Sequence, residues 1–317
     1  MPKEELCYIM KNFSNEELRN KIIQLKRDKD ALVLAHYYQN LDIQHVADHC
    51  GDSFELAKIA RTSDKKIIIF CGVSFMAESA KIMNPEKRVF IPRPDAGCLM
   101  ADMVTPEIVL EMKKAHPDAA VVCYINSTAA TKAVSDICVT SSNALKVVKS
   151  IEQNEIIFIP DKNLGSFVEN HFPEKKFHFM QGWCPVHHDV TLEQLRAARA
   201  QYPNAPIVIH PECRDELLTE CDFIGSTSGI LDFCRESDKD EFIVCTERAI
   251  VERLSEEFPD KKFHLMSPCL VCESMKQTSL SDLLCTLENL DNEICMTPEE
   301  MSAARLPLER MLEAASK

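Results

Sequence analysis

Three cysteines recur at nearly constant spacing, and their spacing makes them candidates to bind a metal. Cys98 and Cys184 are followed at a similar interval by either Cys269 or Cys272, and the spacing alone does not choose between these two. A structural zinc site has four protein ligands and no open position, and its cysteines usually occur in local Cys-x-x-Cys pairs. Three widely separated thiolates instead suit a 4Fe-4S cluster in which one iron has no protein ligand. Such an iron is a Lewis acid that can bind a substrate oxygen or nitrogen.

A second set of reactive side chains follows three short apolar segments that are typical of β-strands. The polar ends of these segments are His36-Tyr37-Tyr38, Tyr124-Ile125-Asn126 and His210-Pro211-Glu212. Ligands of parallel α/β sheets bind beyond the carboxyl ends of strands, and imidazole, phenol and carboxyl groups there can transfer protons. Because three such ends occupy the same position of a repeat, we expect them to form one shared site.

A short polar turn follows each strand end by about 15 residues and leads into a helical pattern. The three turns are residues 51–53, 140–143 and 225–228. Each turn alone is more often a simple N-cap. Helix starts also bind anions through free N–H groups and the positive end of the helix dipole, so their common position predicts a ligand that carries phosphate or carboxylates.

The elements that must position these residues repeat three times along the chain. Matched apolar segments occur at 32–37, 121–126 and 207–212, again at 67–72, 156–161 and 242–247, and Pro-(Glu/Asp)-Lys turns at 85–87, 173–175 and 259–261. Short β-rich runs alternate with stretches of helical period, which predicts a small parallel sheet flanked by helices in each repeat. The predicted segments are a leading helix in 1–30, α/β domains at 31–114, 115–200 and 201–290, and a C-terminal helix in 291–317 that packs on the core.

Composition narrows the function classes. The 317 residues carry a formal net charge of −14, so the chain repels polyanions and we expect neither nucleic acid nor an anionic membrane as a partner. No apolar run approaches the roughly 20 residues of a membrane helix, and the first residues show no apolar signal core, so we expect a cytoplasmic protein. Fifteen cysteines, an odd number, predict reduced thiols rather than a disulfide framework.

The ordered motifs together resemble the quinolinate synthase family, the iron-sulfur enzymes of de novo NAD biosynthesis. The resemblance runs from about residue 35 to about residue 284. The matching motifs are His36-Tyr37-Tyr38-Gln39, Gly51-Asp52-Ser53, residues 70–76, Ala96-Gly97-Cys98, Tyr124-Ile125-Asn126, residues 140–144, Pro160-Asp161, Gly182-Trp183-Cys184, His187, His210-Pro211-Glu212 and Gly225-Ser226-Thr227. One segment departs from the family pattern, because Ala249 stands where the family usually has glycine.

The resemblance implies three homologous Rossmann-like α/β/α domains around a pseudo-threefold axis, with one 4Fe-4S cluster at the centre. It also implies the third ligand that spacing left open, since the family's ligand cysteine stands in a Cys-x-x-Met pattern, here residues 272–275. The predicted metal ligands are therefore Cys98, Cys184 and Cys272.

The implied reaction condenses iminoaspartate with dihydroxyacetone phosphate to quinolinate, with loss of phosphate and two waters and with the open iron as Lewis acid. The instability of iminoaspartate leaves open a transient contact with the oxidase that produces it.

Residue roles follow from the same resemblance. Glu212 and Tyr38 are the predicted general acid and base groups. His187 is a further proton donor or a partner of the cluster. Groups that orient or protonate substrate are Tyr124, His36 and His210. Groups that bind carboxylates or phosphate are Asn126, Ser53, Ser141 and Thr227, with Ile125 and Pro211 at the same strand ends and Lys132 as a candidate helper.

Two other functions fit parts of the pattern. A diphthamide-type radical enzyme also takes three cysteines from three domains, and it would bind S-adenosylmethionine and an elongation factor. A noncatalytic iron-sulfur redox sensor would use Cys269 and its neighbours to report redox state. The motifs at 124–126 and 210–212 favour quinolinate synthesis over the first, and the register of proton-transfer groups weighs against the second.

Overall fold

The structure, a computed structural model, describes residues 13–316. Within that range the strands form three four-stranded sheets, and every strand pair in them is parallel. The strand orders are β2-β1-β3-β4, β6-β5-β7-β8 and β10-β9-β11-β12. The prediction of three α/β domains, each with its own parallel sheet, is confirmed. The predicted absence of a signal core concerns residues that lie outside the described range.

The first domain contains one sheet and the helices that cover it. Its strands are β1 (Ala31–His36), β2 (His49–Gly51), β3 (Ile67–Cys71) and β4 (Arg88–Phe90). Its helices are α1 (Asn15–Asp28), α2 (Leu41–Val46), α3 (Ser53–Thr62) and α4 (Ser74–Met83). Helix α1 begins with the predicted capping box, in which Ser14 and Glu17 bond each other's backbone N–H groups.

The second and third domains repeat this alternation. The second contains α5 (Pro106–Ala115), β5 (Ala120–Tyr124), α6 (Ala129–Ala133), β6 (Ile137–Val139), α7 (Ala144–Lys149), β7 (Glu155–Ile159), α8 (Lys162–Glu169), β8 (Lys176–Phe179), α9 (Pro185–His188) and α10 (Leu192–Gln201). The third contains β9 (Ile207–Ile209), α11 (Asp215–Leu218), β10 (Phe223–Ile224), α12 (Thr227–Glu236), β11 (Glu241–Cys245), α13 (Ala249–Glu257) and β12 (Lys262–Leu265). The chain then forms α14 (Glu273–Lys276), α15 (Leu280–Asn289) and α16 (Pro298–Ser316).

The first strand of each domain is a continuous apolar run because both faces of a parallel sheet are covered. All of β1, β5 and β9 is buried. An aspartate at the turn before the second strand accepts a backbone N–H of the first strand at 2.8 Å in every domain. These bonds join Val33 to Asp48, Val121 to Asp136 and Ile207 to Asp222.

The Pro-(Glu/Asp)-Lys turns that revealed the repeat have one structural role in all three domains. The lysine ammonium donates to two backbone carbonyls at or just beyond the end of an earlier helix, where such groups lack intrahelical partners. The pairs are Lys87 with Ala60 and Ser63, Lys175 with Ile151 and Gln153, and Lys261 with Cys234 and Ser237, at 2.7 to 3.0 Å. Each turn, which precedes the fourth strand of its domain, therefore connects that strand to the end of a helix.

The described residues divide into two compact units. One comprises 13–98 with 273–302, and its core joins α1, the first sheet and α15. The other comprises 99–272 with 303–316, and it contains the second and third sheets. The C-terminal part of α16 packs in this second unit, where Arg310 donates to the carbonyl of Asp136 and Ala315 accepts from Lys146. Among residues 13–316, no helix is both long enough and apolar enough to cross a membrane.

Candidate active site

The strand-end histidines of the first and third domains share one backbone arrangement. The imidazole Nδ1 of His36 accepts the N–H of Tyr38 at 3.1 Å, and Nδ1 of His210 accepts the N–H of Glu212 at 3.3 Å. A ring nitrogen that accepts carries no proton, so the proton of the neutral ring lies on Nε2. Both histidines can therefore donate from Nε2.

Glu212 is the centre of a buried hydrogen-bonded cluster in the second unit. Its Oε1 accepts the hydroxyl of Tyr124 at 2.6 Å, and its Oε2 lies 2.8 Å from Nδ1 of His187 and 3.9 Å from Nδ1 of His210. The carboxyl group is 5% exposed and the His187 ring 1%. Four of the six predicted catalytic residues therefore lie together.

His187 links this cluster to a predicted metal ligand. Its Nδ1 lies 3.4 Å from the Sγ of Cys184, its Nε2 lies 3.0 Å from the hydroxyl of Thr246, and its ring stacks on that of His210 with centroids 4.7 Å apart. The ligand atoms of Cys184, His187 and Glu212 all lie within 4.8 Å of one another. With Nδ1–H directed at Glu212, Nε2 accepts from Thr246, so Thr246, His187 and Glu212 form a buried hydrogen-bonded chain that ends on the carboxylate.

Burial sets the charge states in the cluster. It lowers the pKa of His210 to about 3, more than the carboxylate of Glu212 raises it, so the ring is neutral at neutral pH. Burial opposes ionisation of Glu212, but the neighbouring imidazoles and the hydrogen bonds from His187 and Tyr124 bring the pKa of its carboxyl below the usual range. The cluster therefore holds a carboxylate, which is the form that accepts a proton.

Several predicted binding groups lie at the same strand ends of the second unit. Nε2 of His210 is 3.3 Å from the hydroxyl of Ser141. The side-chain oxygen of Asn126 is buried and has no hydrogen-bond partner among the described residues, which leaves it available to a ligand. Thr227 is buried at the first position of α12, whose N-cap is Ser226.

Ile125 and Pro211 are buried, and the N–H of Ile125 donates to the carbonyl of Val139 at 2.8 Å. Their side chains offer no polar group, so any contact with a polar ligand would come from backbone or surface shape. Lys132 is fully buried, and its ammonium donates to the carbonyl of Ser127. This bond engages Lys132 inside the second domain and does not favour it as a helper for dianions.

The first unit holds His36, Tyr38 and Ser53. The rings of His36 and Tyr38 meet edge to face with centroids 4.7 Å apart, and the carbonyl of Tyr38 accepts the ammonium of Lys276 at 2.7 Å. The buried Gln39 donates to the carbonyl of Met275 at 2.7 Å. Helix α14 therefore anchors the strand end that carries Tyr38.

The start of α3 in the first domain is capped within the chain. The carboxylate of Asp52 accepts the N–H groups of Phe54 and Glu55 at 3.0 and 2.9 Å. Two N–H groups that the sequence offered to an anion are thus already bonded, and the half-buried Ser53 hydroxyl is the group left at this turn.

One backbone hydrogen bond identifies the equivalent cysteines of the three domains. In each domain, a residue at or just before the start of the helix that follows the third strand donates its N–H to a carbonyl. The residue with this carbonyl stands two positions before a cysteine. The bonds join Ser74 to Ala96, Lys162 to Gly182 and Arg248 to Leu270, at 2.8 to 2.9 Å. By this register Cys98, Cys184 and Cys272 are equivalent and half-buried, whereas Cys269 is exposed.

Two buried carboxylates that the sequence analysis left without a role hold the backbone of these cysteines. Oδ2 of Asp161 accepts the N–H of Cys184 at 3.1 Å, and Oε1 of Glu247 accepts the N–H of Cys272 at 3.3 Å. Burial and the nearby charge of Glu212 raise the pKa of Asp161 well above its usual value. The equivalent position of the first domain is Val73, whose side chain cannot accept a hydrogen bond.

Sequence reasoning also missed Thr246 and Asn163. Thr246 contacts His187, and Asn163 donates to the carbonyl of Glu212 at 2.8 Å. The signal for Asp161 and Glu247 was present, because both follow strand 3 of their domains at the same place in the repeat. The substitution to Ala249 is compatible with the local backbone, since its φ is not positive and its N–H donates to Glu247 at 2.7 Å.

Comparison with known proteins agrees with this geometry. The sequence model of one family, NadA, described as quinolinate synthetase A protein, matches residues 20–313. The chain belongs to the quinolinate synthase family. It is 44% identical over 290 residues to a quinolinate synthase of Clostridioides difficile, covering 92% of this chain and 95% of that protein.

Two other relatives extend the comparison. A quinolinate synthase of Caldicellulosiruptor bescii is 46% identical over 298 residues, with 94% and 98% of the two chains covered. Quinolinate synthase 2 of Methanosarcina acetivorans is 46% identical over 295 residues, with 93% and 95% covered. Membership of the quinolinate synthase family favours neither the diphthamide-type radical enzyme nor the redox sensor.

Proposed function

We propose that this chain catalyses the condensation of iminoaspartate with dihydroxyacetone phosphate to quinolinate, with loss of phosphate and two waters. The observation that carries the proposal is the buried Glu212 carboxylate, held by Tyr124 and His187 within 4.8 Å of the Cys184 thiol. A proton acceptor beside a metal ligand is what a dehydrating condensation requires. Membership of the quinolinate synthase family supports the same reaction.

The cofactor we infer is one 4Fe-4S cluster per chain, held by Cys98, Cys184 and Cys272. Quinolinate synthases are iron-sulfur proteins, and the donor chemistry of these residues fits. The three equivalent thiols are half-buried, and no cysteine between residues 13 and 316 forms a disulfide. Three thiolates leave one iron without a protein ligand, and when bound the cluster would supply a Lewis acid there.

The protein groups around Glu212 divide the proton transfers. Glu212 takes protons from substrate carbon, because its carboxylate is ionised and buried. Protonated Glu212 then returns that proton to a departing hydroxyl, and His187, which lies between this carboxyl group and Thr246, keeps Oε2 oriented. Tyr124 keeps Oε1 oriented by its 2.6 Å hydrogen bond. In the first unit, Tyr38 supplies the second acid and base group, for the isomerisation of the triose.

Substrate binding rests on neutral polar groups. The unpartnered oxygen of Asn126 accepts from the substrate nitrogen or a hydroxyl, and Nε2–H of His210 with Ser141 and Thr227 donates to carboxylates or phosphate. His36 and Ser53 serve the same purpose in the first unit. Neutral donors can release dianionic phosphate more readily than a salt bridge would, since charge-assisted hydrogen bonds are roughly twice as strong.

Anaerobic purification, iron and sulfide quantification, and a quinolinate assay with freshly generated iminoaspartate test this function. Wild type should form quinolinate without S-adenosylmethionine, and Glu212→Gln should lower kcat by about a hundredfold or more with iron content unchanged. Exposed Glu174, changed to Gln, is the matched control and should leave the rate as it is. Unchanged turnover in Glu212→Gln at full iron content would remove the proposed base.

Cytoplasmic residence and a transient contact with the iminoaspartate-producing oxidase stay predictions. The oxidase contact predicts that quinolinate yield in a coupled reaction exceeds the yield from iminoaspartate that is generated in a separate compartment. Equal yields would contradict the predicted contact with the oxidase.

A further inference from the structure

A second cluster of metal-binding side chains lies in the second domain, away from Glu212. Oε2 of Glu155 is 2.7 Å from Nε2 of His178 and 3.9 Å from Nδ1 of His116. The ligand atoms of all three residues lie within 4.8 Å of one another. Each side chain is between 12% and 35% exposed, so solutes can reach the cluster.

The position in the fold separates this cluster from the candidate active site. Glu155 is the first residue of β7 and His178 lies in the neighbouring β8, while His116 caps the C-terminus of α5 just before β5. The residues given roles in catalysis follow the opposite, carboxyl ends of the strands. The reaction therefore does not account for this cluster.

The third domain offers an internal comparison. There Nε2 of His264 lies 2.9 Å from Oε1 of Glu241, and Tyr202 caps α10 and stacks on His264 with centroids 3.6 Å apart. In the second domain His116 stacks on His178 in the same way, at 3.4 Å. Since tyrosine satisfies the stack, packing does not require an imidazole at position 116, and what His116 adds is a second nitrogen facing the carboxylate.

We propose that His116, Glu155 and His178 bind a divalent transition metal ion, with Zn²⁺ as the best fit. Two imidazole nitrogens and one carboxylate oxygen form a common zinc ligand set, which a water molecule completes. Zinc bonds of roughly 2.0 to 2.2 Å place ligand atoms about 3 to 3.5 Å apart, between the two distances observed here. Binding requires the stacked rings to turn, and it displaces Lys176, whose ammonium lies 3.7 Å from Glu155.

The charge of the cluster favours a cation. Oε2 of Glu155 is a carboxylate oxygen and faces a ring nitrogen of each imidazole, at 2.7 and 3.9 Å. Imidazole ligands suit zinc, nickel and copper, whereas calcium and magnesium prefer all-oxygen sites. The proposed ion is therefore a transition metal.

Equilibrium dialysis of Zn²⁺ against anaerobically purified, cluster-loaded protein tests the site. The fifteen cysteines are the same in all variants, so a difference between variants isolates the site. His116→Tyr copies the third domain and should lower zinc affinity at this site at least tenfold, with the loss of about one bound equivalent. Tyr202→His, which copies the second domain, should add about one equivalent.

Two further measurements keep the outcome clear. Thermal unfolding of His116→Tyr close to that of wild type shows that the stack is kept and that the fold is intact. The difference between the absorption spectra of Co²⁺-loaded wild type and Co²⁺-loaded His116→Tyr should lack a thiolate charge-transfer band, because cysteine is not a ligand of this site. Equal zinc binding by wild type and by correctly folded His116→Tyr would overturn the proposal, as would a cobalt difference spectrum dominated by thiolate. Quinolinate formation is a separate readout, so the proposed function can fail while this site stands.

Discussion

Glu212 shows how one side chain acquires its chemistry from its neighbours. Buried carboxylates tend toward the neutral form, yet Tyr124 donates to one oxygen of Glu212 and His187 to the other, which stabilises the charge. The neutral imidazole of His210 lies beside it, with Nδ1 3.9 Å from Oε2. A buried carboxylate is kept ionised and in one orientation by its partners, so removal of one partner should weaken catalysis without removing it.

Tyr124→Phe is the direct test of that support. Loss of the 2.6 Å hydrogen bond to a charged group is worth about 1.5 to 3 kcal/mol, so kcat should fall by about ten- to a hundredfold while iron content stays constant. Tyr202→Phe removes a phenol hydroxyl at a half-buried position outside the site and is the control. Turnover like wild type in Tyr124→Phe would show that the hydroxyl does not support Glu212.

His210 predicts the pH dependence of stability. Burial holds its pKa at about 3 in the folded chain, against about 6.5 when unfolded, so the unfolded chain binds the proton first as the pH falls. The free energy of unfolding should therefore drop by about 1 kcal/mol from this residue between pH 7.5 and pH 5.5, with no effect above that window. Anaerobic urea titrations should show a smaller drop for His210→Gln at matched iron content; identical pH slopes would contradict the burial argument.

At the scale of elements, the loops that carry Cys184 and Cys272 are held from the ends of strands β7 and β11. Asp161 and Glu247 each use one oxygen for the helix start that follows and the other for the cysteine N–H. A single carboxylate thus fixes strand end, helix start and ligand loop together. The first domain has Val73 at this position, whose side chain cannot make the equivalent hydrogen bond.

Replacement of Glu247 tests this arrangement. Glu247→Ala leaves the N–H of Cys272 without its carboxylate acceptor, so iron per chain after anaerobic reconstitution should fall by half or more and the electron paramagnetic resonance signal of the reduced cluster should broaden. Glu247→Asp should restore part of the iron content, since it keeps the carboxylate. Glu252, half-buried in the helix α13 that follows, is the control when changed to Ala. Full iron content and an unchanged signal in Glu247→Ala would remove the positioning role.

For the molecule as a whole, the sequence predicted the three sheets because matched strands, turns and cysteines repeat in the same order. It also predicted that the strand ends carrying Tyr124, His210 and Glu212 form one site, because they occupy the same position of the repeat, whereas His187 was expected only from the family resemblance. Spacing could not decide whether Cys269 or Cys272 is equivalent to Cys98 and Cys184, because the loop after the fourth strand of each domain varies in length. The backbone hydrogen bond from Arg248 to Leu270 shows that the equivalent residue is Cys272. Thr246 and Asn163 were missed because their roles depend on side-chain direction.

The cysteines give a test at this scale. Changing Cys98, Cys184 or Cys272 singly to Ser should abolish the cluster, because a cluster held by three thiolates cannot spare one. Cys269→Ser should keep iron and sulfide at the wild-type level. The measurement is iron and sulfide per chain with the visible absorption of the cluster. A cluster that survives Cys272→Ser and is lost in Cys269→Ser would reverse the assignment.

The lysine of each Pro-(Glu/Asp)-Lys turn bonds two backbone carbonyls and touches none of the groups given a role in the reaction. These lysines therefore serve the architecture rather than the reaction. A chain with this fold that lacked every thiol and every reactive histidine would still need these three ammonium groups to bond the carbonyls at its helix ends. The lysines are therefore a sequence signature of the fold, whereas the thiols and histidines are a signature of the reaction.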